Sequence, residues 1–146
     1  MKLILNLAKQ LQRLFTTSCL LLTFSIANAN EVDIVNVKAH QGNDKTWTFA
    51  VTLKHADEGW DHYANEWQVL APDNKILATR TLYHPHVNEQ PFTRNTSGVK
   101  IPAEIKTVYI IAKDTVHGLS KKAVSVDLET NKILPITLKE LRKMRK

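Results

Sequence analysis

Four of the six histidines fall in three short segments. His62 lies in Gly59-Trp60-Asp61-His62-Tyr63, His84 and His86 in Tyr83-His84-Pro85-His86-Val87, and His117 in Asp114-Thr115-Val116-His117-Gly118. Neutral imidazole is the commonest protein ligand for transition metals, so the chemistry these residue types offer is coordination of a divalent ion. Pro85 fixes its own φ and biases His84 toward extended backbone, where residues two apart project to the same side. His84 and His86 can therefore face one ion. Asp61, Glu89 and Asp114 are the carboxylates placed to orient the rings or to complete the coordination. The plain alternative for each histidine is structural: a packed loop at His62, a strand end around Pro85, a hydrogen-bonded turn at His117.

The elements that must position these residues come after a leader. Lys2, Lys9 and Arg13 precede an apolar stretch from Leu14 to Ala27, and Ala27-Asn28-Ala29 offers small residues at the positions a signal peptidase reads. Cleavage is expected after Ala29, making residues 1–29 a signal peptide. Thr16, Thr17, Ser18 and Thr23 interrupt the stretch, which is short for a span needing about 20 apolar residues. No transmembrane segment is expected after cleavage. Cys19 raises the question of lipidation, but Thr16-Thr17-Ser18 makes a poor lipobox, so a plain secretory signal is the preferred reading.

Removing the leader takes away the chain's one cysteine. Thiolate ligands, a cysteine nucleophile and disulfides are then excluded, and Met144 is the one methionine left. Without soft ligands, three or four imidazoles suit Zn(II), Cu(II) or Ni(II) rather than Cu(I) or a blue-copper centre. The net charge of +6 also divides by segment. Three of the 20 basic residues precede residue 30 and five follow residue 138, so the 12 between them face 13 of the 14 acidic residues. A neutral body gives no basic face for nucleic acid, and none is expected as a partner.

From Val32 to Leu128 the pattern is alternation with period two, rich in β-branched and aromatic residues. Trp47, Phe49, Val51 and Leu53 share one face of the clearest run. Gln41-Gly42-Asn43-Asp44 and Pro72-Asp73-Asn74-Lys75 read as turns, and Ser97-Gly98 as a bulge or break in a strand from Phe92 to Ile101. A run from Thr107 to Lys113 is apolar on both faces, as a central strand would be. The last run spans Ala123 to Leu128. The expectation is an all-β domain over residues 30–130: a seven-stranded antiparallel sandwich, immunoglobulin-like and nearer the fibronectin type III kind because no cysteine pair is present. Residues 131–146 are expected to form a short basic C-terminal tail or helix, with capping-box spacing at Thr137-Leu138-Lys139-Glu140.

Antiparallel succession sends chain reversals alternately to the two ends. The loops of His62, of His84 and His86, and of His117 then meet at one end by parity alone, with His40 near the other. His55 closes the second strand and ranks as a reserve ligand at most.

Three segments carry a resemblance: Trp60-Asp61-His62-Tyr63-Ala64, His84-Pro85-His86-Val87-Asn88-Glu89-Gln90-Pro91-Phe92-Thr93-Arg94, and Asp114-Thr115-Val116-His117-Gly118. They resemble an uncharacterised family of small exported bacterial proteins, which implies export and brings no activity with it. Cu/Zn superoxide dismutase shares a sandwich and a His-X-His element, but its disulfide and long metal loops are missing here. No Gly-x-Ser-x-Gly elbow, His-Glu-x-x-His helix or phosphate loop occurs, so an enzyme is the less favoured reading, and a zinc hydrolase with three histidine ligands, a bound water and Glu89 as base ranks low. The reading is a periplasmic or secreted module that holds a divalent transition metal, Zn or Cu(II), through His62, His84, His86 and His117, for storage, delivery or sensing. The alternative is an interaction module for a protein or glycan, a periplasmic protein partner for instance. In that reading Trp60, Tyr63, Phe92 and Arg94 make the surface and the histidines only shape it.

Overall fold

The computed structural model describes residues 30–144; the expected signal peptide and the last two residues of the tail lie outside them. Eight strands and one short helix follow in order: β1 Asp33–Gln41, β2 Trp47–Lys54, β3 Ala64–Leu70, β4 Ile76–Thr81, β5 Phe92–Val99, β6 Thr107–Asp114, β7 Gly118–Asp127, β8 Ile133–Thr137 and α1 Leu138–Lys143. They form an antiparallel sandwich of a three-stranded sheet, β1-β2-β5, and a five-stranded sheet, β4-β3-β6-β7-β8. Pairing of β4 with β3, rather than with the sheet of β1, β2 and β5, separates it from the constant-type immunoglobulin arrangement.

Alternation explains the core. Phe49, Val51 and Leu53 of β2 are fully buried against Trp67 and Val69 of β3 and Val108 and Ile110 of β6. β6 is apolar on both sides because both sides are covered. Its Val108, Ile110 and Ala112 join the main core, while Tyr109 and Ile111 face outward into a second cluster with Leu70, Ala123 and Leu141 of α1.

The strand count is eight, not seven, because the segment expected as tail supplies β8 before the helix. Pro135 hid it: proline argues against a strand, but β8 is the sheet's edge, where a missing N–H costs little. β7 begins at Gly118, well before the run seen at Ala123. A register shift between Ile111 and Lys113 puts extra residues into β7 there and breaks its alternation. The bulge at Ser97-Gly98 is present: Trp47 pairs with Val99 and Phe49 with Thr96, and Gly98 takes φ +73°. The capping box is also present, with Glu140 N–H donating to Thr137 Oγ1 and Thr137 N–H to Glu140 Oε2.

The six antiparallel pairings place the reversals at 55–63, 82–91 and 115–117 at one end, together with Asn30. That end carries the histidines.

Candidate metal centre

His62 is held between neighbours from three elements. Its ring centroid lies 4.8 Å from that of His55 and 5.0 Å from that of His117, both edge-on. Nδ1 stands 3.3 Å from Glu58 Oε2, and Nε2 stands 3.4 Å from Asp114 Oδ1 without a hydrogen bond. His55, His62 and Asp114 are all buried, and one ligand atom from each lies within 4.8 Å of the others. Two ligands on one tetrahedral ion with bonds of about 2.1 Å sit about 3.4 Å apart. The 3.4 Å from His62 Nε2 to Asp114 Oδ1 equals such an edge; Oδ1 also accepts two backbone N–H groups, and the carboxylate's other oxygen, Oδ2, is the one without a partner among the described residues.

Asp114 ends β6 and organises the turn into β7. Its Oδ1 accepts the N–H groups of Val116 (2.8 Å) and His117 (2.6 Å) and lies 3.1 Å from His117 Nδ1. Gly118 completes the reversal at φ +74°, a conformation that favours glycine. Burial pushes the Asp114 carboxyl up, but the N–H groups of His117 and Val116, with the charges of His117 and His55, outweigh it and leave the carboxyl below its ordinary value. An ionised carboxylate is thereby kept in a buried position. Its Oδ2 has no hydrogen-bond partner among the described residues.

His55 is fixed at both nitrogens. Nδ1 lies 2.6 Å from Asp57 Oδ1, and Nε2 lies 2.9 Å from the carbonyl oxygen of Asn30. Asp57, whose side chain is fully buried, also accepts the N–H groups of Ala64 at Oδ1 (3.1 Å) and of His86 at Oδ2 (2.6 Å). A carboxylate on the far nitrogen of an imidazole fixes the ring's tautomer and raises its basicity as a ligand. Asp57 stands in that relation to His55.

Of the four histidines expected as ligands, the structure brings His62 and His117 together, and His84 and His86 together. His84 and His86 have centroids 4.6 Å apart, and His86 stacks on Phe92 at 3.8 Å and 9°. The two pairs are joined through Asp57 and His55. His55, set aside as a reserve ligand, sits in the centre, and Asp114, expected as an orienting group, belongs to the close ligand group. The missed signal was the parity argument itself, since β2 ends at Lys54 on the same end as the other loops. Asp61 and Trp60 are exposed; the Asp61 carbonyl accepts from Thr115 Oγ1 (3.3 Å) and Trp60 packs edge-on to Tyr63. Glu89 and Arg94 are spent on each other in a two-point ion pair, 2.9 and 3.2 Å. Phe92 is buried under His86, which removes it from any recognition surface.

No family model matches the chain, and no solved structure matches it. Over 100 residues it is 34% identical to a protein of Halomicrobium mukohataei named "Putative lipoprotein", a match covering 68% of this chain and 49% of that protein. The chain thus spans about half the length of that relative. Among the described residues no helix is long and apolar enough to cross a membrane.

Proposed function

We infer that this is an exported protein that holds a divalent transition metal, zinc or copper(II), at His55, His62 and Asp114, with His117 at the rim. The observation that carries the reading is the close approach of three buried ligand atoms, one carboxylate and two imidazoles, at a place where Asp114 Oδ2 and His62 Nε2 lack hydrogen-bond partners among the described residues. Buried polar groups without partners cost free energy, and an ion that took both would remove that cost. His55 would ligate through Nε2, exchanging the Asn30 carbonyl for the ion, with Asp57 retaining Nδ1–H. Hard carboxylate plus imidazole suits Zn(II) or Cu(II).

Export is supported by the signal-like leader and by the name of the Halomicrobium relative; a periplasmic or secreted location, and the kinship with small exported bacterial proteins, belong to the same proposal. Storage, delivery or sensing of the metal is the role such a site would serve. The test is metal binding by chelator-treated protein, followed by calorimetry with Zn(II) and Cu(II). His62→Ala and Asp114→Asn should each weaken binding by at least tenfold, and wild-type affinity in both variants would refute the assignment.

A further inference from the structure

We propose that His84 and His86 hold a metal ion of their own, a position separate from the His55, His62 and Asp114 group. The proposal deepens the metal-binding reading, from which its test separates it.

His86 carries the argument. Its side chain is 1% exposed, yet neither ring nitrogen has a hydrogen-bond partner among the described residues. A buried histidine kept for packing normally donates one N–H to a carbonyl or carboxylate, so a ring with both nitrogens free is poised for a ligand. Stacking on Phe92 holds the ring plane, and the backbone is pinned by the His86 N–H to Asp57 Oδ2 bond and by Gln90 Nε2 donating to the His86 carbonyl (3.2 Å). The ring is thus rigid without using its own nitrogens.

His84, exposed to solvent, brings the second imidazole. For bonds of about 2.0 to 2.1 Å, two imidazoles on one ion have centroids about 4.5 to 5.2 Å apart. The observed 4.6 Å lies in that range. Negative charge faces the pair at Asp57, whose Oδ2 is 3.9 Å from His86 Nδ1. Arg94, the nearby cation, is ion-paired with Glu89 at 2.9 Å. Two neutral imidazoles with solvent in the remaining positions make a borderline site suited to Cu(II) or Zn(II). The two positions share no proposed ligand, and Asp57 touches both, with Oδ1 at His55 Nδ1 and Oδ2 accepting the His86 N–H.

The experiment counts Zn(II) and Cu(II) ions per chain by native mass spectrometry and calorimetry, in wild type, His84→Ala, His86→Phe and His62→Ala. Phenylalanine preserves the stack on Phe92, and His84→Ala alters an exposed side chain, so it keeps the test alive if the former misfolds. The expected result is two ions for wild type and one for each variant. A wild-type chain holding one ion that His62→Ala loses and His84→Ala keeps overturns this inference and leaves the central reading intact. One ion lost in His84→Ala and kept in His62→Ala supports the inference and refutes the central reading. No ion in wild type overturns both.

Discussion

His62 Nε2 and Asp114 Oδ1 stand 3.4 Å apart, buried and not hydrogen-bonded to each other. A bare hydrogen bond would draw such a pair closer, to about 2.7–3.2 Å. The gap equals the ligand-to-ligand edge of the proposed site, so an ion bound there should stabilise the protein. Saturation with metal at 100 times Kd should add about 2.7 kcal/mol by mass action. The melting temperature should rise on adding Zn(II), return with chelator, and rise much less in Asp114→Asn; equal shifts in both proteins would refute the placement.

In the proposed site Asp57 would act through His55, whose Nδ1 it holds at 2.6 Å, rather than on the ion. Asp57→Asn should lower metal affinity about 10- to 100-fold, the usual cost of losing a carboxylate behind a ligating imidazole. Its effect on affinity should exceed that of Glu58→Gln, because Glu58 is 70% exposed and its contact with His62 is longer, 3.3 Å. Calorimetry on both variants checks the order.

Acid should destabilise the fold in two stages. Burial, then the charges of Arg94 and His84, hold the His86 imidazole below its ordinary 6.5. The native ring therefore stays neutral where the unfolded chain already binds a proton. Its contribution is complete above 6.5 and is lost as pH falls from there toward the depressed native value. Asp114, held below 3.8, stabilises above 3.8 and ceases to do so as pH falls through its native value. Urea midpoints measured in chelator from about pH 7.5 to 3 should decline throughout, and His86→Phe should flatten the upper stage.

Leu141 tests whether the C-terminal segment belongs to the folded unit. It is 1% exposed beneath α1, against Leu70, Tyr109, Ile111 and Ala123. Leu141→Ala should cost about 2–4 kcal/mol. Metal affinity should be unchanged, because the helix covers the outer face of the five-stranded sheet and not the histidine end.

The mass of the purified exported protein tests the leader reading. A chain beginning at Asn30 is expected; a lipid-modified Cys19 at the N-terminus would refute it.

Much of this was legible in the chain. Alternation in Trp47–Lys54 and two-sided apolarity in Thr107–Lys113 gave the sheet and its centre, and strand parity alone brought the histidine loops to one end. Parity says which end a residue reaches, not which atom it meets there. Parity therefore ranks His55 as a reserve and gives Asp114 an orienting part, where the structure puts both in the close group. Neither the stack of His86 on Phe92 nor the three-way use of Asp57 has a local signature, since each joins loops far apart in sequence. β8 carries Pro135, which disfavours a strand by propensity and is tolerated because β8 is the edge of its sheet.

One carboxylate contacts both His55 Nδ1 and the backbone N–H of His86, so ions at the two proposed positions would be coupled through Asp57. Whatever an ion at one does to the affinity of the other must be returned in equal measure, whichever ion arrives first. A small domain would then report on metal supply with a response curve steeper or shallower than a single-site isotherm, its sign set by how Asp57 divides its charge.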